Sequence, residues 1–155
     1  MATPPFVLAL REKIGNAPLW LSGVTAVVLR DDEVLLVRRS DNGAWTPVTG
    51  IIDPGEEPAV AAEREVLEEA NIVALAEALS WVQVNGPVTY ENGDVTEYLD
   101  LVFRCVWVSG DPFPADGENT ETAWYPVDAL PEMSDNMRER IEIAVENAGA
   151  ARFNR

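Results

Sequence analysis

Residues 50–72 read GIIDPGEEPAVAAEREVLEEANI, placing Asp53, Glu56, Glu57, Glu63, Glu65, Glu68 and Glu69 around a single Arg64. Carboxylates at this density are either a solvated helix face or a site for cations. Gly50, Pro54 and Gly55 suggest a loop, followed by a helix from Pro58 to Ala70. Proline is tolerated in a first helical turn, and Asn71 suits the left-handed residue that ends a helix. At 100° per residue, Ala59, Ala62, Val66 and Ala70 gather on one side, with Val60 and Leu67 at its margin. Glu65, Glu68 and Glu69 fall on the other side, within an arc of about 100°. Three carboxylates at this spacing destabilise a free helix by a few tenths of a kcal/mol per pair. Arg64, one turn before Glu68, relieves part of that repulsion. The remaining charge suits a hard divalent cation, which takes oxygen ligands.

Composition narrows what such a site would do. The chain has 155 residues, 47% hydrophobic and 25% charged, as expected for one globular domain. Its net charge of −16 repels nucleic acid polymers and anionic membranes, so neither is an expected partner. There is no histidine, which excludes Cys/His zinc sites, Ser-His-Asp triads and a histidine base. Catalysis then rests on carboxylates, Lys, Tyr or a metal. The single cysteine, Cys105, sits in the apolar run LVFRCVWV and reads as core. FVLAL near the start lacks the marks of a secretory signal, and no apolar run approaches membrane-spanning length; a cytoplasmic protein is expected.

Around the acidic stretch, strands and helices alternate. PPFVLALREKIG (residues 4–15) reads as a short helix, and residues 1–18 as a helical extension to a domain spanning 19–155. VTAVVLR and EVLLVRR flank Asp31-Asp32 as a hairpin. IVALAEALSWVQV reads as one or two strands. Asn92-Gly93 marks a turn into the long strand TEYLDLVFRCVWV. SGDPFPADGENTE is a loop, TAWYPV a short strand, and residues 134–148 a second substantial helix. This order predicts an α/β fold.

From Gly50, five residues precede Glu56, seven more precede Arg64-Glu65, and then come Val66, Leu67, Glu68, Glu69, Ala70, Asn71 and Ile72. This pattern resembles the Nudix box, Gly-x5-Glu-x7-Arg-Glu-U-x-Glu-Glu-x-Gly-U, with U a bulky aliphatic residue. Asn71 replaces the final Gly, and Thr49 stands where the family often has another Gly. The resemblance implies an α/β/α sandwich with a mixed central sheet, the N-terminal helix being additional. It also implies hydrolysis of a nucleoside diphosphate derivative by water attack at phosphorus. Glu65, Glu68, Glu69 and the Thr49 carbonyl would ligate Mg²⁺ or Mn²⁺. Gly50 and Glu56 would support the site, Glu56 orienting the helix carboxylates or holding a metal through water, and Arg64 would pair with box carboxylates.

By the same resemblance the general base is Glu65, Glu68 or an acid from a later loop, where Glu118 is preferred to Glu121. Arg38 or Arg39 is a candidate for phosphate contact. Trp45, Trp81, Tyr90 and Tyr98 are candidates for base stacking, with packing as the competing role. Pro87 and Tyr90 satisfy family hints for ADP-ribose and for dinucleoside polyphosphates respectively, so they conflict. ADP-ribose or a nucleotide sugar is the first expectation. A nucleoside triphosphate house-cleaning enzyme and a nucleotide-sensing module without catalysis are the alternatives. The element order also allows a homodimer that exchanges the N-terminal helix and long hairpin.

Overall fold

Alternation of apolar residues along two adjacent strands builds two cores on opposite faces of one sheet. The computed structural model describes residues 3–155. Its elements run α1 (Pro5–Ile14), β1 (Leu19–Arg30), β2 (Glu33–Arg39), β3 (Trp45–Thr46), β4 (Val48–Ile51) and α2 (Pro58–Ala70). They continue with β5 (Val73–Thr89), β6 (Val95–Ser109), β7 (Asn119–Pro126), α3 (Asp135–Glu146) and β8 (Arg152–Phe153). The sheet order is β3-β2-β1-β6-β5-β8, with β4 also paired to β1 and β7 to β2. β1 runs parallel to β6, and β5 to β8, whereas the remaining pairs are antiparallel. The sheet is mixed, as expected.

Ala26, Val28, Leu35 and Val37 pack with Ala61, Ala62, Val66 and Ala70 of α2. Their strand neighbours Val27, Val34 and Leu36 pack the other way, against Ile141 and Ala144 of α3. A one-residue slip in either strand would exchange these faces, so the pattern holds the register. Cys105 is buried in the α2-side core. α1 adds a third, small cluster in which Val7 packs on Leu21 and Ile51.

Several local expectations change. Gly50 lies in β4 rather than in a loop, paired with Val24. IVALAEALSWVQV and the following residues form one 17-residue strand, which shifts register against β6 at several points. β8 had no signal in the sequence. Asn71 adopts φ 56° and ψ 32°, the left-handed cap expected of it. Ser134 caps α3 by accepting a hydrogen bond from the Met137 N–H, so that helix starts one residue later than expected.

Arg140 was unremarkable in the sequence, yet it is 2% exposed. Its Nη1 donates to Thr25 Oγ1 at 2.9 Å and lies 3.4 Å from Asp100. Thr25 and Gln83 both donate to the Asp100 carboxylate, at 2.9 and 3.0 Å. Asn136 links the two ends, accepting from Arg140 Nε and donating to Gln83. Each buried polar group in this ring is satisfied, which is the condition for tolerating a charge pair there.

Candidate active site

The helix carboxylates do not share one solvent-facing arc. Glu65 and Glu69 are 3% and 4% exposed and lie beneath neighbouring elements, whereas Glu68 is exposed. Val60 and Leu67, at the margin of the expected apolar side, face solvent instead. The helix is rotated so that Glu65 points at β4. A Cβ added to Gly50 would overlap the Glu65 side chain, so any larger residue there has to displace that carboxylate or the strand.

Arg64 organises one half of the site. Its Nε and Nη2 donate to both oxygens of Glu56, at 2.7 and 3.0 Å. Nη1 donates to Glu65 at 2.9 Å and to Glu68 at 3.2 Å, and Nη2 also reaches the Ile51 carbonyl. Glu56 accepts further from the Asp53 N–H, closing the loop before α2. The hydrogen bonds from Arg64, with some help from Asp53, hold the Glu56 carboxyl below its usual range. Burial pushes Glu65 the other way, to about 7, against the pull of Arg64. Burial raises Glu69 as well, with Glu65 adding repulsion.

The other half comes from the loop before β7. The Phe113 N–H donates to the Ala70 carbonyl and the Ala115 N–H to the Glu69 carbonyl, which strings the loop along the end of α2. Those carbonyls lack partners within the helix, so the loop satisfies them. Ser40 then pins the Glu118 carbonyl through both its N–H and its hydroxyl, at 3.0 and 2.6 Å. Glu69, Asp116 and Glu118 thereby each place an oxygen within 4.8 Å of the others. Asn119 donates to Glu69 at 3.2 Å.

Two hollows meet at Glu118, one of about 290 Å³ beside Arg39, Thr49, Glu69 and Asn119. The other, of about 390 Å³, lies beside Arg64, Glu65, Glu68 and Asp116. The sequence therefore pointed to residues that the fold does gather: Glu65, Glu68, Glu69, Thr49 and Glu118 all line this groove. Asp116 and Asn119 escaped it. Their signal was their adjacency to Glu118 in DGEN, which only the loop's course makes meaningful.

The remaining candidates divide between the groove and other surfaces. Arg38 is held by Glu121 at 2.8 Å, and Arg39, bound to Asp41, is the arginine that faces the groove. Successive residues of β2 face opposite ways, which separates the two. Trp45 packs edge-on to Tyr125, with ring centroids 5.1 Å apart, at the α3-side core. Trp81 is buried in that same core. Tyr90 and Tyr98 join hydroxyl to hydroxyl at 2.6 Å.

A loop-and-helix carboxylate cluster of this order, over a mixed sheet between two helices, agrees with a match to the NUDIX domain over residues 20–144. The chain belongs to the Nudix hydrolases. It is 34% identical over 143 residues to a MutT-like protein of Streptomyces ambofaciens, covering 89% of this chain and 85% of that one. It is 33% identical over 135 residues to the human 8-oxo-dGDP phosphatase NUDT18, covering 83% of this chain and 37% of that protein. The chain thus spans most of the first relative's length and little more than a third of the second's. A MutT NUDIX hydrolase structure from Burkholderia pseudomallei superposes with a TM-score of 0.67 at 25% identity, covering 81% of this chain and 98% of that one.

The Nudix fold implies a divalent cation, and the donor set fits one. The carboxylates of Glu69, Asp116 and Glu118 converge, with those of Glu65 and Glu68 beside them, and carboxylate oxygen is the donor that Mg²⁺ and Mn²⁺ take. Burial raises Glu65 and Glu69, and a dication beside them would favour their ionised forms.

Proposed function

We propose that the groove hydrolyses a phosphoanhydride bond in a nucleoside diphosphate derivative with the help of Mg²⁺ or Mn²⁺. The observation that carries this reading is the convergence of Glu69, Asp116 and Glu118 beside Glu65 and Glu68. Glu65, Glu68, Glu69 and Asp116, with the Thr49 carbonyl, would hold the cation. When bound, it neutralises the crowded carboxylates and the diphosphate, and withdraws charge from the phosphorus that water attacks.

The chain's own residues supply the rest. Glu118, fixed through its backbone by Ser40, accepts a proton from the attacking water. The water oxygen bonds to phosphorus as the bridging P–O bond breaks, and the bridging oxygen keeps that electron pair as part of the departing phosphate. Arg39, which lines the smaller hollow with Glu69 and is braced by Asp41, is the cation offered to the phosphates there. Arg64 remains committed to Glu56, Glu65 and Glu68, and so positions carboxylates instead of touching substrate.

ADP-ribose and nucleotide sugars remain the first substrates to try. The second reading, removal of damaged nucleotides, gains support from similarity to a protein named for 8-oxo-dGDP. Among the described residues no helix is long and apolar enough to cross a membrane.

A product-separation screen with Mg²⁺ and Mn²⁺ over ADP-ribose, nucleotide sugars, and oxidised and ordinary nucleoside di- and triphosphates tests the reading. Turnover should fall about a hundredfold in Glu118→Gln and at least as far in Glu69→Gln. Full activity in Glu69→Gln would remove the cation site. Absence of turnover, with nucleotides still raising the melting temperature, would make the chain a sensing module.

A further inference from the structure

Helix α1 lies outside the residues matched to the NUDIX domain, yet it reaches the groove. Pro4 and Pro5 line the larger hollow together with Arg64, Glu65, Glu68 and Glu118. Behind them, Val7 is 4% exposed against Leu21 and Ile51, and Ile51 itself lines that hollow. The far end of the helix is clamped. Arg11 Nη1 donates to the Gly15 and Ala17 carbonyls at 3.1 and 2.6 Å. Its Nη2 donates to the Val95 carbonyl at 2.9 Å and to Thr96 Oγ1 at 3.2 Å, and its guanidinium lies 3.6 Å from Asp94.

The surface turned to the groove is chemically plain. Neither proline has an N–H, and the Pro4 carbonyl already accepts from Val7 and Leu8 at 3.0 and 3.2 Å. Both rings fix their own backbone angle, so this end of the hollow is stiff. Such residues give a ligand contact and exclusion but no hydrogen bonds. The hollow they border, about 390 Å³ and open to solvent on its other side, is near the small end of ligand sites, which run from about 300 to 1,000 Å³.

We propose that α1 is the end wall of the substrate groove and limits the group carried beyond the cleaved diphosphate. Under this assignment a terminal phosphate or one sugar is accommodated against Pro4 and Pro5, and a second nucleoside meets them as an obstacle. The assignment rests on the hydrolytic reading above and adds a size limit imposed from outside the family's common domain.

The test compares a compact nucleoside diphosphate with a dinucleoside polyphosphate, measuring kcat/KM and, by calorimetry with Mg²⁺, Kd for each. One variant lacks residues 1–15. Because that truncation uncovers Leu21 and Ile51, a second variant, Pro4→Gly with Pro5→Gly, leaves Val7 and Arg11 in place and decides alone if the first does not fold. The intact chain should favour the compact ligand by about tenfold or more, and the variants should shrink that preference at least about fivefold. A preference unchanged within about twofold in a folded variant overturns the wall. Should the intact chain bind both ligands but cleave neither, hydrolysis fails while the Kd ratios still decide the wall. Binding of neither ligand overturns both.

Discussion

Glu65 shows how much one residue's surroundings matter. On a helical wheel it belongs with Glu68, but in the fold it sits under β4, 3% exposed, in space left by Gly50. Gly50→Ala must therefore displace either β4 or the carboxylate, and should cost about 1–3 kcal/mol, read as a lower melting temperature. Divalent cation affinity, measured by calorimetry, should fall in the same variant. An alanine tolerated without loss of either would mean that Glu65 relaxes freely. Residue types and spacing made the carboxylates of residues 50–72 legible. Which of them is buried was not, because that depends on the strand lying across the helix.

At the scale of elements, α2 and β1–β2 were readable because local periodicity and local burial agree. The loop before β7 was not. Its position follows from Phe113 and Ala115 binding the last carbonyls of α2, a contact between segments more than forty residues apart in sequence. That contact brings Asp116 to the site. α3 was legible as a helix from its apolar spacing, whereas its attachment through Arg140 was not, since an arginine in an acidic surface helix carries no sign of burial. Replacing Arg140 by Met would leave the Asp100 carboxylate buried without its cation. A loss of about 3–5 kcal/mol is expected in denaturant unfolding. The double variant Arg140→Met with Asp100→Leu should recover most of that loss, and failure to recover it would show that the hydrogen-bonded ring, rather than the charge pair, holds α3.

The whole molecule carries −16 charges, and its buried carboxylates make that charge dependent on pH. Glu65 is raised to about 7 and Glu69 is raised too, chiefly by burial. A carboxyl whose folded pKa exceeds its unfolded value, about 4.3, stabilises the fold fully below that value and loses the contribution as pH rises through about 7. In chelator, the melting temperature should therefore decline between about pH 5 and pH 8. Added Mg²⁺ should raise it more at the upper end of that range, where fewer protons compete for the carboxylates. A cation effect equal at both ends, read by scanning calorimetry, would place the cation away from Glu65 and Glu69.

The sequence by itself determined the family, the sheet-and-helix order and the acidic chemistry, because all three depend on residue type at short, regular spacing. Only the tertiary structure decided that Glu65 and Glu69 are buried, that Arg39 rather than Arg38 faces the groove, and that Asp116 and α1 border it. Each of those follows from segments distant in the chain being packed together, and local spacing carries no record of such packing.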